Sequence, residues 1–420
     1  MDVLELAARL WRGEASTAQH HPVVFGGELC EITDGVAFIP SFANCVAVAT
    51  EDGLLLVDTG SPITAGTVFH QVRSWNASPL HTAVFSHGHI DHVFGVGAFE
   101  EEASEKGWRA PRVLAHERVG ERFDRYILTA GYNEVINRRQ FGVDNLIWPR
   151  EYRYPDETYR DVHETSVGEL SVHLRHERGE TDDATVTWLA DKKVLCTGDL
   201  FVWSSPNAGN PQKVQRYPRE WAGALRRMAE LDAHYLLSGH GLPIVGELRV
   251  RQALIETAEY LESIVDQTLA LMNAGARLSE VLESVAPPAH LAGRPFLQPV
   301  YDEPEFIVHN VWRLYGGWWD GNPATLKPAP ERRLASEVAD LAGGAARLAA
   351  RAEELAATGA DEALRLAGHL IELAWLAAPA DEAIQRARRA ICTQRGEAAT
   401  STMAKGVFAW AARESTGARY

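Results

Sequence analysis

The chain has 420 residues, 46% apolar and 23% charged, with 41 basic against 57 acidic residues and a formal net charge of −16. At roughly 150 residues per domain this predicts two to three domains, and the apolar content excludes a mainly disordered chain or a disulfide-dependent miniature fold. An acidic surface repels nucleic-acid phosphates and anionic lipid, so no nucleic acid is expected as a partner, and an anionic substrate would need local positive charge, most simply metal ions.

In chain order, MDVLELAARLWRGEAS carries Asp2 and Glu5 early and reads as neither a signal peptide nor a membrane span. Residues from about 20 to 245 alternate short apolar runs with turns: GVAFIP (35–40), NCVAVAT (44–50), GLLLVDTG (53–60), HTAVFSHG (81–88), PRVLAH (111–116), LSVHLRH (170–176), ATVTWLA (184–190) and KVLCTGD (193–199). Their length and their Val, Leu, Thr and aromatic content predict strands. TAGTVFHQVRSW (64–75) and PREWAGALRRMAELD (218–232) have helical spacing, so sheets covered by helices are expected. From about 249 the pattern is helical. It runs through 248–275 and 278–285, a tryptophan-rich stretch at 303–326, and Ala-rich hairpins over 330–395 that break at Gly359–Asp361 and Pro379–Asp381. Trp312, Trp318 and Trp319 either wall an apolar pocket or pack these helices, and packing is the preferred reading. Cys30, Cys45, Cys196 and Cys392 form no CxxC pair. No disulfide is therefore expected, and a soluble, cytoplasmic protein with no membrane span fits the whole pattern.

The chemistry concentrates in Ser86-His87-Gly88-His89-Ile90-Asp91-His92, directly after an apolar strand. Imidazole nitrogen and carboxylate oxygen suit zinc and its neighbours. His87 and His89, two apart on an extended segment, point the same way and can grip one ion; Asp91 and His92, on the turn entering a helix, can grip a second. Further polar residues close later strands: Glu180 in HERGET, Asp199 in LCTGDLF and His240 in YLLSGHG. Sheets of this kind collect functional residues at one such edge.

This order of HxHxDH, a ligand after a glycine, TGD and GHG resembles the metallo-β-lactamase superfamily of binuclear metal hydrolases. VDTGSP (57–62) is similar to its early Asp-Thr-Gly turn. Where the superfamily usually has a histidine, this chain has Glu180, as the alkyl sulfatase branch does. HNVWRLYGGWWDGNPATL (309–326) and STMAKGVFAWAARE (401–414) resemble that branch's helical dimerisation domain. The chain departs from the branch at Asp199, where glutamate is usual, and at 201–221, FVWSSPNAGNPQKVQRYPREW, where a histidine- and asparagine-rich stretch is usual.

The resemblance implies an α/β fold. A metallo-β-lactamase-type αβ/βα sandwich, the catalytic domain over 1–248, precedes an all-α dimerisation domain over 249–420. Two divalent ions, zinc foremost, would be held by His87, His89 and Glu180 on the first and by Asp91, His92 and His240 on the second, with Asp199 bridging. His176 is the alternative to Glu180. Asp91 and Asp199 take the catalytic assignments around a hydroxide that bridges the ions. Lys213 and Arg216 match a sulfate-contacting loop, and Tyr132, Asn133, Asn137 and Arg138 a substrate-facing stretch. The implied reaction is cleavage of an alkyl sulfate ester to alcohol and sulfate by a homodimer paired through its C-terminal helices. The alternatives are another anionic or apolar small-molecule ester (lactone, thioester, carboxylic ester or phosphoester) on the same site, and a non-catalytic dimerising metal-binding module.

Overall fold

Strand-length runs of Val, Leu and Ala build two sheets in the computed structural model, which describes residues 2–23 and 26–415. The first sheet has seven strands side by side in chain order: β1 (Cys30–Thr33), β2 (Val36–Ile39), β3 (Cys45–Thr50), β4 (Gly53–Val57), β5 (Leu80–Val84), β6 (Arg112–His116) and β7 (Glu157–Tyr159). Neighbours are antiparallel up to β4 and parallel from β4 to β7. The second sheet places β8 (Val162–Val167), β9 (Leu170–His176), β10 (Thr185–Leu189), β11 (Val194–Val202), β12 (Tyr235–His240) and β13 (Ile244–Val245) side by side. Only β11 and β12 run parallel in it.

Both faces of the first sheet are buried. Ala37, Ile39, Ala47, Leu54, Leu56 and Val113 share a core with Val68, Val72, Phe99 and Phe123 of the helices Ala65–Trp75, Val96–Lys106 and Arg118–Leu128. The alternate residues Val36, Phe38, Val46, Val48 and Leu55 are equally buried, which requires a second cover. The second sheet provides it. The Asn44 N–H donates to the Gly239 carbonyl at 2.7 Å and the Thr185 N–H to the Ser86 carbonyl at 2.6 Å. The helices Pro218–Ala229 and Glu247–Asn273 lie against β11, β12 and β13 on the outer side. This is the expected αβ/βα sandwich, with helices following it.

The compact units divide the chain differently from the change of pattern at 248. One contains residues up to Ala130, Pro149–Gly275 and Glu280–Gly317; the other contains Gly131–Trp148, Ala276–Ser279 and the chain from Trp318. The reason is burial. Glu247–Asn273 sets Val250, Leu254, Leu261, Ile264 and Val265 in the first unit, between the helices Pro218–Ala229 and Pro304–Gly316. Each such side chain contributes about 1.5–3 kcal/mol.

The second unit packs the helices Glu331–Ala342, Ala345–Ala356, Asp361–Ala377 and Glu382–Ala398 through small residues such as Ala352, Ala367 and Ala374, with Leu364, Ile371 and Ile391 filling the gaps. Arg388 is buried there, donating to Glu372 at 2.7 and 2.8 Å and to Glu414 at 3.0 Å. Trp318 is not part of any helical core: it lies beyond the end of Pro304–Gly316 and is 71% exposed. Trp312 is buried, and the Trp319 indole N–H donates to the Asn322 carbonyl at 2.8 Å. All four cysteines are free. Among the described residues no helix is long and apolar enough to cross a membrane.

The chain after β11 runs without regular structure to Tyr217 and lies against the helix Pro304–Gly316. There the Gly209 N–H donates to Asp302 Oδ2 at 2.6 Å, and a β-carbon at Gly209 would overlap the backbone of Phe306 and Ile307. Gly209→Ala should cost about 1–3 kcal/mol in denaturant unfolding. Gly66→Ala, in open space on an exposed helix turn, should gain up to about 1 kcal/mol in the same measurement.

Candidate metal centre

Seven side chains carried on or just after four strands meet in the first unit. β5 leads into the turn that carries His87, His89, Asp91 and His92. Glu180 follows β9, Asp199 lies within β11, and His240 ends β12. His87, His89, Glu180 and Asp199 form one group of potential ligand atoms, and Asp91, His92 and His240 a second, with all atoms of a group within 4.8 Å of one another. His87 Nε2 is 2.8 Å from His89 Nδ1, and His89 Nδ1 is 3.7 Å from Glu180 Oε2. His240 Nε2 is 3.3 Å from Asp91 Oδ2. Asp199 reaches both groups: its Oδ2 is 3.7 Å from His87 Nε2 and 3.3 Å from His240 Nε2, and its Oδ1 is 3.5 Å from His92 Nε2. Gly239 makes this approach possible, since a β-carbon there would overlap Asp199 Oδ1.

The imidazoles are oriented from behind. Asp58 accepts from the Ser86 N–H at 2.7 Å and the Ser86 hydroxyl at 2.7 Å, and it holds His92 Nδ1 at 2.8 Å. It does so from a left-handed backbone (φ 58°) that aspartate tolerates. His240 Nδ1 bonds the Phe42 carbonyl, and His87 Nδ1 lies 3.0 Å from the Ser86 hydroxyl. Each of the three rings therefore turns Nε2 toward the cluster, the arrangement that fixes a ligating histidine. Asp183 accepts from the Gly88 N–H at 3.0 Å and from Arg122 Nε at 2.6 Å, which pins the turn itself. Asp58 stands in the Asp-Thr-Gly turn read from the sequence, but its hold on His92 was not anticipated, nor were Asp183 and Arg122.

The residues fit divalent cations. His92 Nε2, Glu180 Oε2 and Asp199 Oδ1 are buried without a hydrogen-bond partner, a state that costs roughly 1–3 kcal/mol per group unless something else satisfies it. Ligand atoms about 2.0–2.2 Å from a shared ion lie roughly 3–3.5 Å apart, close to the separations seen around Asp199. The nitrogen–oxygen donor set suits zinc-like ions.

Charge is distributed unevenly. Desolvation, with His92 adding, holds His87 down at about 4, and His89 is likewise well below the usual range. Burial raises Glu180 to about 7, against the opposing pull of Arg216. In the second group burial is outweighed by opposite charges. Asp58, Asp91 and Asp199 lift His92 to about 9, and His240 is raised as well, chiefly by Asp199. Burial also opposes ionisation of Asp91, yet His92 and His240 hold it at about 2; Asp199 is depressed too.

The remaining candidates lie as follows. His176 is outside both groups: it pairs with Thr185 in the sheet, stacks on His116 at 3.8 Å and places Nδ1 3.0 Å from the Ala184 carbonyl. Arg216 is buried and donates to Glu180 Oε1 at 2.6 Å. Asn207, not anticipated from sequence, donates to the same oxygen at 2.8 Å. Lys213 is half-buried; desolvation with neighbouring Arg216 lowers it to about 8, against Asp91 and Glu180. Tyr132, Asn133, Asn137 and Arg138 belong to the second unit. There Tyr132 is exposed, Asn137 donates to the Asn133 carbonyl at 2.8 Å, and Arg138 donates to the Leu146 carbonyl at 2.7 and 3.0 Å.

Comparison with known proteins finds the metallo-beta-lactamase superfamily over residues 39–240 and the alkyl sulfatase dimerisation family over residues 277–417. A linear primary-alkylsulfatase of Pseudomonas sp. is 28% identical over 329 residues, 71% of this chain and 60% of the relative. An (R)-specific secondary-alkylsulfatase of Pseudomonas sp. is 26% identical over 340 residues, 72% of this chain and 50% of that protein. Among solved structures, the stereoselective inverting sec-alkylsulfatase Pisa1 from Pseudomonas sp. superposes with a TM-score of 0.84 at 22% identity, covering 93% of this chain and 66% of that one. The chain thus spans about half to two thirds of the length of these relatives.

Asp58→Ala frees His92 Nδ1 and two donors of Ser86. It should weaken metal binding by about 10–100-fold, read by chelator competition, with the far-ultraviolet circular dichroism of the fold retained.

Proposed function

We propose, for a chain whose residues 39–240 belong to the metallo-β-lactamase superfamily and whose residues 277–417 belong to the alkyl sulfatase dimerisation family, that it is a binuclear metal-dependent hydrolase cleaving sulfate esters of aliphatic alcohols to alcohol and sulfate. His87, His89 and Glu180 would hold the first ion and Asp91, His92 and His240 the second, with Asp199 in reach of both groups. Two divalent ions, zinc by the chemistry of the donors, would make water nucleophilic at neutral pH and offset charge on the sulfate oxygens.

The observation that carries the reading is Arg216. Its Nη2 is committed to Glu180, while its Nε and Nη1 are buried without a partner. A planar fork of donors beside a metal-ligand carboxylate suits an oxyanion with several oxygens, which a lactone or thioester does not offer. Lys213 adds a second cation on the same segment. In this reading Arg216 and Lys213 bind and orient the sulfate group, and Asp91 and Asp199, both held ionised, accept hydrogen bonds from the attacking water and aim it. Residues 1–248 contain all seven metal ligands.

The helices of 249–420 serve to pair two copies. Leu334, Leu341 and Leu366 are large apolar side chains left exposed on the second unit, and isologous pairing would cover such positions twice over.

Purified protein loaded with zinc or manganese should release sulfate from dodecyl sulfate. Turnover of lactones or thioesters with none of dodecyl sulfate would overturn the choice of substrate. His89→Ala should lose at least one ion by elemental analysis and nearly all activity while keeping its fold; full metal content would contradict the ligand assignment. Arg216→Gln should cut kcat/KM for dodecyl sulfate by about 100-fold, the scale of two charge-assisted hydrogen bonds, and should affect a neutral ester such as p-nitrophenyl acetate far less.

A further inference from the structure

The segment that carries Asn207, Lys213 and Arg216 has no helix or strand of its own. Its conformation therefore rests on a few local hydrogen bonds and on groups outside it. At Arg216 those groups come from the helix Pro304–Gly316. Asn310 is buried on that helix, and its side-chain amide donates to the Arg216 main-chain carbonyl at 3.0 Å. Gln215 Nε2 reaches the same carbonyl at 2.9 Å and also reaches Asn310 at its carbonyl (3.1 Å) and Oδ1 (3.0 Å). Arg313 closes the network, donating to Gln215 Oε1 at 3.0 Å and to Asn310 Oδ1 at 3.2 Å. Arg216 is thus held at both ends, by Asn310 at its carbonyl and by Glu180 at its guanidinium.

We propose that Asn310 is a positioning residue for anion recognition: it fixes the main chain of Arg216 so that the two uncommitted guanidinium donors face the sulfate group. The helix that performs this lies inside the stretch matching the dimerisation family, so that stretch has a second task, setting the affinity of the site for its anionic substrate. The inference rests on the reading that Arg216 receives the sulfate. Asp302, just before that helix, holds the segment at Gly209, at a distance from Arg216; Asn310 acts on the arginine itself. Because the guanidinium fork is directional, a small shift of its main chain misaligns both free donors together.

The test uses the full-length, metal-loaded protein with inorganic sulfate as the probe in titration calorimetry, alongside dodecyl sulfate kinetics. Asn310→Ala should weaken sulfate binding by about tenfold, the scale of one or two lost hydrogen bonds. It should raise KM for dodecyl sulfate by a similar factor, leave kcat within about twofold and keep the wild-type metal content. In an Arg216→Gln background the same substitution should change sulfate affinity no further, because the arginine through which it acts is gone. Gln215→Ala, which removes the other donor to the same carbonyl, should give the same pattern with a smaller effect, and it serves if Asn310→Ala does not fold. Unchanged sulfate affinity in both single variants, or equal losses with and without Arg216, would overturn the positioning role alone. A wild-type protein that binds no sulfate, with Arg216→Gln indistinguishable from it, would instead bring down the sulfatase reading and this inference with it.

Discussion

Asp199 is a buried carboxylate with an imidazole group on either side, and the organisation of the first unit depends on balancing its charge. Asp91 and Glu180 stand nearby, so three acidic side chains, two of them buried and one half-buried, are gathered together. Such groups cannot stay bare at that depth. In the second group the opposing charge falls on His92 and His240, which are pushed toward protonation. Divalent cations would place greater charge at the same positions, and the nitrogen and oxygen donors gathered there are of the kind that suits them. Asp58, the Phe42 carbonyl and Ser86 then turn the rings so that their free nitrogens face inward.

The parts of the site that lie close together in sequence were the easiest to read. HxHxDH-type spacing needs no knowledge of the fold, since an extended segment followed by a turn presents its own ligands. Glu180, Asp199 and His240 are single residues among many polar residues at strand ends. They became legible only through their order after the histidines and their likeness to a known family. Asp58, Asp183 and Arg122 act through other residues. Nothing about an aspartate in a turn reveals that three donors will converge on it across 28 to 34 positions.

The fold shows the same division. Strand periodicity located eight of the strands in the sandwich, because covered sheets leave near-continuous apolar runs. It did not identify the neighbours of each helix. An amphipathic stripe such as that of Glu247–Asn273 records that one face is buried, not what covers it. The change from strands to helices near 248 therefore marks a change of element type, whereas the compact units follow burial. Trp318 illustrates the converse error: aromatic content suggested a core position, but the helix ends before that residue and leaves it in solvent.

The helix Pro304–Gly316 bears on how this protein can be subdivided. It braces the irregular stretch between β11 and Tyr217 at two places, near Gly209 and at Arg216, although almost a hundred positions separate the partners. A graft of the candidate metal centre onto a smaller scaffold, trimmed where the last strand stops, would carry every candidate ligand and still lack the brace. A version that keeps both contacts extends through the end of that helix at Gly316.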